Sequence, residues 1–299
     1  MKIYLTGAAG YVGGFVLDEL NRQGYNIRCL VRSEKDAELL RRPSVECVVG
    51  DVTDFGSFAD SLDGCDAVIH LVAIIEEKKR KNITFDRINL KGTQNIVTAC
   101  VNAGIERIVH MSALGADSHK TTPYYRTKGQ AQTLVENSGL NYTIVRPSFI
   151  FGPGDAVYTM LAQILRLSPF RIMPVFGNGE YRHQPVHVKD VAEGMVSSIS
   201  NPRTYKRTYD VGGPEALTYK EQLQAIARVM NLPIRFFPLP LPFSYVLIGA
   251  AGLFPFSPID LDRLSMLTED NVCDPQPFAE DLGMELTHFQ SGLDYLKVG

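Results

Sequence analysis

The stretch "KIYLTGAAGYVG", residues 2–13, leaves the start of this chain little freedom. A short apolar run ends at Gly7, and two more glycines follow at 10 and 13. Val12, Phe15, Val16 and Leu20 then recur at helical spacing. A strand, a tight turn and a helix are predicted in immediate succession. Gly7 permits the turn, Gly10 lets the backbone approach an anion, and Gly13 lets the helix pack close to the strand. The helix start adds unpaired N–H groups and a positive dipole end, which suits a pyrophosphate. The first two glycines are one residue further apart than in G-x-G-x-x-G. What makes the assignment specific is the strand before the turn, the helix after it and a second strand on schedule.

That second strand is "NIRCLVR" at 26–32, and "VECVVG" at 45–50 reads as a third. "DAVIHLVA" at 66–73, "RIVHMSA" at 107–113 and "NYTIVRP" at 141–147 continue the series. Helical patterns lie between them, one at about 82–104 and another carrying "TPYYRTKGQAQ" at 122–132. Apolar strands alternating with helices predict an α/β fold with a doubly wound parallel sheet. After Pro147, Pro and Gly become frequent, strands shorten ("TYDVGG", 208–213), and helical patterns appear near 189–200 and 218–231. The expectation is a nucleotide-binding domain over 1–150 and a smaller α/β substrate-side domain over 151–299, with 188–201 folding back onto the first.

With 299 residues, 45% of them apolar, the chain can bury a substantial core. A net charge of −3 and no clustered basic face argue against a nucleic-acid partner. "EEKKRKN" at 76–82 reads as a solvated loop. Cysteines at 29, 47, 65, 100 and 273 are odd in number and form no C-x-x-C pair, as expected of reduced thiols in a cytoplasm. The first strand begins at Lys2, so no signal peptide is expected. Phe236 to Ile259 carries no charge, but its five prolines argue against a membrane span. A buried helix is the plain reading there; an apolar mouth or membrane-facing patch is the sharper one. His183, His187 and Asp190 show no zinc spacing, and no metal site is expected. His70 and His110 lie in strands and are expected to pack. Arg146 either braces a strand end or reaches a substrate anion.

Beyond the second strand stand Arg32 and Ser33, where an Asp or Glu usually meets a free ribose 2′-hydroxyl. A guanidinium can clamp a 2′-phosphate and Ser33 can donate to it, favouring NADP(H); the nearby Glu34 keeps NAD(H) open. Tyr124 precedes Lys128 by four residues, so the two share a helix face. Tyr125 points roughly 100° away and reads as packing. An ammonium near Tyr124 would lower the phenol toward a useful acid/base range. Ser112 ends the fifth predicted strand, where ligands bind in such sheets, and can hold a substrate oxygen.

"TGAAGYVG", "GDVTD", "DAVIHLVA", "HMSALGA", "YYRTK" and "RPSFIFGPGD" together resemble the extended and atypical short-chain dehydrogenase/reductases. "QPVHVKDVAEG", "YDVGGPEALTYKE" and "EDNVCDP" resemble bacterial relatives of the NADPH-binding accessory subunit of respiratory complex I, over about residues 1 to 295. The resemblance implies a Rossmann domain holding NADP(H). It places pyrophosphate contacts at Gly7, Ala9 and Gly10 to Val12, including Tyr11, with the 2′-phosphate at Arg32. Asp51 and Val52 would meet adenine, and Leu71, Val72 and Ala73 would line the cofactor. Lys128 would hold the nicotinamide ribose, with Pro147, Ser148 and Phe149 beside the nicotinamide, and Asn89 would bond across to the active-site strands. The sequence "HLVA" lacks the asparagine of the single-domain branch, and no residue defines a sugar-nucleotide site.

Three functions follow. One is an oxidoreductase with Ser112, Tyr124 and Lys128 as its catalytic group, acting on an apolar, isoprenoid- or quinone-like small molecule. Another is a non-catalytic NADP(H)-binding factor for a membrane respiratory or quinone-making complex, peripheral to the membrane. The third is an NAD-dependent epimerase or dehydratase.

Overall fold

The computed structural model describes residues 1–251, 264 and 267–297, of which 247–251 by backbone alone. Its strands are β1 (Lys2–Thr6), β2 (Asn26–Val31), β3 (Val45–Val49), β4 (Ala67–His70), β5 (Arg107–Met111) and β6 (Asn141–Pro147). There follow β7 (Ile150–Phe151), β8 (Ile172–Phe176), β9 (Arg182–His183), β10 (Val186–His187), β11 (Arg207–Val211), β12 (Leu217–Thr218) and β13 (Arg235–Leu239). Helices α1 (Tyr11–Arg22), α2 (Glu34–Leu39), α3 (Gly92–Asn102) and α4 (Pro123–Glu136) separate the first six strands. After them come α5 (Val157–Leu167), α6 (Val188–Ser198), α7 (Tyr219–Val229), α8 (Leu241–Ala251) and α9 (Gln276–Leu282).

The chain forms two compact units. The first comprises Met1–Pro147, Val188–Val211 and Pro275–Glu285. It holds a seven-stranded parallel sheet in the order β11-β6-β5-β4-β1-β2-β3. This is the doubly wound sheet expected. The strand order reverses between β1 and β4, so the carboxyl ends of those two strands flank a crevice suited to ligands. On one face Tyr4, Val68, Ile108 and Ile144 pack with Ile96 of α3 and Val135 of α4. Strand alternation sends Ile3, Leu5, Ile69 and Val109 to the other face, where they are equally buried.

Two elements differ from the sequence reading. β4 ends at His70, because Leu71 to Ala73 leave the sheet to line the crevice. The single helix expected over 82–104 is a bridge of Lys78 with Ile83, a π-helical turn at Asp86–Lys91, and then α3. Inside that turn Asn89 is buried; its amide oxygen accepts from the Ile74 N–H at 2.8 Å and its NH2 donates to the Ile74 carbonyl at 3.2 Å. Such turns recur at functional sites.

The second unit comprises Ser148–His187, Gly212–Asp274 and Leu286–Gly299. β7 pairs with β10 and β8 with β13 in parallel; β9 pairs with β12 antiparallel. Phe151, Tyr158, Leu165, Leu223, Ile226 and Phe289 form its core. A capping box between Thr218 and Glu221 starts α7. Of the uncharged stretch Phe236–Ile259, residues 252–259 lie outside the described residues. The described part is β13 and α8, and it is not the buried helix expected: Phe243, Tyr245 and Val246 are exposed. No helix among the described residues is long and apolar enough to cross a membrane.

Arg107 ties the first unit together. Its buried guanidinium donates to the carbonyls of Ser198 (2.5 Å), Ile199 (3.1 Å) and Asn141 (2.5 Å) and to Thr143 Oγ1 (2.6 Å). It also lies 4.5 Å from the Tyr205 ring centre. Burial brings its pKa down to about 10, so it stays charged at neutral pH. Arg107→Met would leave the Ser198, Ile199 and Asn141 carbonyls without this donor. The expected loss is about 3 kcal/mol in urea unfolding; a loss below about 1 kcal/mol would show that the carbonyls find other partners.

Candidate functional site

Within the first unit, a groove of about 440 Å³ opens along the carboxyl ends of β1, β2 and β4. Gly7, at φ +83°, turns the chain off β1 in a conformation open to glycine. A Cβ on Gly13 would stand 1.9 Å from the Gly7 carbonyl oxygen, so only glycine lets α1 rest on this turn. Gly10 caps α1 without a side-chain bond, and the first turn of α1 holds no acidic residue. Gly10 therefore offers no side-chain acceptor to the leading N–H groups of α1 at the groove's end. This cradle fits a dinucleotide pyrophosphate.

Gly7, Ala9, Gly10, Arg32, Asp51 and Val52 line the groove, as do Leu71, Val72 and Ala73. Tyr11 and Val12 stand in the first turn of α1 but not on the groove wall. Ser33 does not line the groove either. It caps α2: its hydroxyl donates to Asp36 Oδ2 at 2.8 Å and accepts from the Asp36 N–H at 3.2 Å. Asp36 lines the groove in its place. Lys81, Asn82, Ile83 and Arg87 also line it, within or beside the segment read as a solvated loop. The S-x-x-D spacing of Ser33 and Asp36 marks a helix start and could have flagged Asp36. No local signal marks Lys81 or Arg87, which reach the groove through the Lys78–Ile83 bridge and the π turn.

The Ser112 N–H donates to the Val145 carbonyl at 2.8 Å, just past β5. Its Oγ is buried and has no hydrogen-bond partner among the described residues. Lys128, buried on α4, donates from Nζ to the carbonyl of Met111 at 2.6 Å and so pins α4 to the end of β5. One turn earlier, Tyr124 packs edge-on to Phe85 (5.8 Å between ring centres) and Tyr125 (5.2 Å). The expectation that Lys128 lowers the Tyr124 pKa is not met. Burial raises the phenol, with Tyr125 adding to the rise, while the lysine nitrogen bonds Met111.

His70 and His110 stack at 5.3 Å on the same face. Thr93 Oγ1 donates to the Asn89 carbonyl, so it accepts from His70 Nε2, and His70 Nδ1 accepts from Thr6. Burial lowers both histidines, His70 to about 3, and keeps them neutral. Pro147 ends β6, its carbonyl accepting from the Leu114 N–H at 2.9 Å. Ser148 and Phe149 belong to the second unit: Ser148 Oγ bonds Asn271 Oδ1 at 2.6 Å, and Phe149 lies 4.8 Å from the His183 ring. Arg146 braces its strand, pairing with Asp210 of β11 at 2.7 Å. No metal-binding group of His, Cys, Asp and Glu occurs among the described residues.

Burial alone lowers Lys128 to about 7. A cation whose folded pKa is depressed binds fewer protons folded than unfolded between that value and its unfolded one. Stability from this group therefore rises as pH climbs from about 7 toward 10. Urea midpoints at pH 7 and 9 should show that rise in wild type and its loss in Lys128→Met. An equal rise in both would remove Lys128 as its source.

The first comparison is with a 4-hydroxy-2-methyl-3-oxo-4-farnesyl-3,4-dihydroquinoline-1-oxide ketoreductase of Stigmatella aurantiaca. It is 30% identical over 66% of this chain and 64% of that protein, less than two thirds of its length. The NADH-ubiquinone oxidoreductase 40 kDa subunit of Neurospora crassa is 25% identical over 93% of this chain and 74% of that one. A nucleoside-diphosphate-sugar epimerase structure from Staphylococcus aureus superposes with a TM-score of 0.77 at 19% identity, covering 98% of this chain and all of that one, a likeness of fold. Residues 7–202 match the NAD(P)H-binding protein family. That span includes the glycine cradle, the groove and the Ser112–Tyr124–Lys128 segment, and the chain belongs to this NAD(P)-binding Rossmann family.

Proposed function

We propose that this protein is an NADP(H)-dependent oxidoreductase of the short-chain dehydrogenase/reductase type, interconverting an apolar carbonyl compound and its alcohol. The observation that carries the proposal is the end of β5. Lys128 fixes α4 there through Met111, the adjoining Ser112 Oγ is buried without a partner among the described residues, and Tyr124 lies one turn before Lys128. A buried hydroxyl with no partner costs about 1–3 kcal/mol, which a substrate oxygen accepting its proton would offset.

A nicotinamide cofactor held in the groove would supply the hydride that the carbonyl carbon gains. Ser112 Oγ–H donates to the carbonyl oxygen and orients it. Tyr124 gives that oxygen its phenolic proton, so the carbonyl gains a hydride and a proton and leaves as the alcohol. In the reverse direction the phenolate takes the proton back. Lys128 would hold the ribose, its Nζ standing at the end of β5 on the Met111 carbonyl. Arg32 on the groove supports NADP(H). Asp36, its neighbour on the same wall, opposes a 2′-phosphate and keeps NAD(H) in contention. The farnesyl-bearing substrate in the name of the Stigmatella relative supports an isoprenoid- or quinone-like substrate.

The fungal subunit supports a second reading, a non-catalytic NADP(H)-binding protein that assists a membrane respiratory or quinone-making complex. An NAD-dependent epimerase or dehydratase rests on likeness of fold alone. The odd number of cysteines, with no C-x-x-C pair, fits a cytoplasmic chain.

Oxidation of NADPH, followed at its absorbance band against quinones and apolar ketones, separates the first two readings. Tyr124→Phe should lower kcat by about 100-fold or more with NADPH affinity retained. Tight NADPH binding without turnover on any of these acceptors supports the second reading. Cofactor choice is settled by titration. Arg32→Ala should weaken NADP binding by about tenfold or more and NAD little, and Asp36→Asn should tighten NADP. Equal wild-type affinities for the two nucleotides would defeat the NADP preference.

A further inference from the structure

The second unit displays an apolar face that its own core does not use. In the β8–β13 pair, Met173 and Phe236 stand in register and turn inward to the core. Alternation sends Ile172 and Phe237 outward, where both are exposed. The chain enters β8 through Phe170 and Arg171, both left-handed at φ 54° and 58°. Non-glycine residues seldom adopt this conformation, and a bulky one less often still. Here the Phe170 ring is 92% exposed, and Leu167, three residues earlier at the end of α5, is exposed too. On α8, Phe243 and Val246 share a helix face three residues apart and are 67% and 72% exposed.

The charge along these stretches of sequence has one sign. No acidic residue occurs from 156 to 179 or from 222 to 259, while Arg166, Arg171, Arg228 and Arg235 lie in those stretches of a chain whose net charge is −3. Arg166, Arg171 and Arg235 are exposed. None of the three has an ion pair among the described residues.

We propose that this face docks on an anionic phospholipid surface. Leu167, Phe170, Ile172, Phe237, Phe243 and Val246 enter the boundary between headgroups and acyl chains, and Arg166, Arg171 and Arg235 meet lipid phosphates. Exposed apolar groups alone would suit any greasy partner; arginines with no ion pair among the described residues, in stretches without an acidic residue, select a negatively charged one. A second copy of this chain fits poorly, because a symmetric contact would set the arginines against each other. The docking is interfacial, since α8 has eleven residues and a span needs about twenty. It rests on the second unit and does not depend on carbonyl reduction.

The chain has no tryptophan, so Phe170→Trp places a single reporter on this face. Vesicles of phosphatidylcholine with phosphatidylglycerol should shift its emission to the blue, and brominated acyl chains should quench it. Pure phosphatidylcholine should do far less, and about 1 M salt should reverse much of the effect. In co-sedimentation of the otherwise native protein, Arg171→Gln with Arg235→Gln should weaken partition to the mixed vesicles about 25-fold, near fivefold per arginine (about 1 kcal/mol each). Phe170→Ser with Phe243→Ser should weaken it at least about tenfold. Retained NADPH binding and an unchanged urea midpoint establish that each variant is folded. Unchanged emission, no preference for the anionic vesicles, or partition that neither double variant lowers overturns the proposal. So does a lipid-free dimer that Phe170→Ser with Phe243→Ser dissolves, which assigns the face to a second copy.

Discussion

The first unit depends on one backbone contact. Helix α1 rests on the turn after β1 so closely that a single methyl at Gly13 would overlap the Gly7 carbonyl. That approach puts the uncapped end of α1 directly beyond β1, at the point where the sheet reverses its strand order. The groove follows from it. β4 can stop at His70 because the next three residues are needed as groove wall, and the π turn brings Arg87 to the opposite side. The nucleotide cradle is thus a consequence of how one helix is seated, with the groove's side chains arranged around it.

Burial sets the chemistry at the far end of the sheet. Lys128 is enclosed, loses water and falls toward neutrality; the same enclosure raises Tyr124 and silences His70 and His110. Desolvation acts in opposite directions on an amine and a phenol, so burial drives the two groups apart in acidity, the lysine down and the phenol up. A lysine near neutrality beside a phenol reluctant to ionise makes a poor spontaneous base. It makes a serviceable proton donor once a developing alkoxide, oriented by Ser112, asks for the proton.

The two units carry different burdens. The first offers the glycine cradle and the polar group at the end of β5. The second has its own aromatic core around Phe151, Tyr158 and Phe289 and shows solvent a set of apolar side chains flanked by arginine.

Much of this was legible in the residues. The glycine spacing, the alternation of apolar strands with helices and the Tyr124–Lys128 interval are local patterns, set by steric limits and helical period, and they survive without tertiary context. Gly7, Gly10 and Arg32 of the groove were read that way, while Ala9, Asp51, Val52 and Leu71 to Ala73 came from the family resemblance. What the residues did not reveal depended on distant partners. Ser33 reads as a phosphate donor until Asp36 takes its hydroxyl, and the basic run at 76–82 is largely exposed as its composition suggests, yet a bridge brings its end, Lys81 and Asn82, to the groove. The direction of the Tyr124 shift depended on how much water the fold removes and where the lysine nitrogen turns. Sequence alone determined the strand–turn–helix frame and the placement of its glycines. Only the tertiary structure decided which polar groups were already paired and which apolar ones stayed uncovered, because pairing and desolvation are set by residues far apart in the chain.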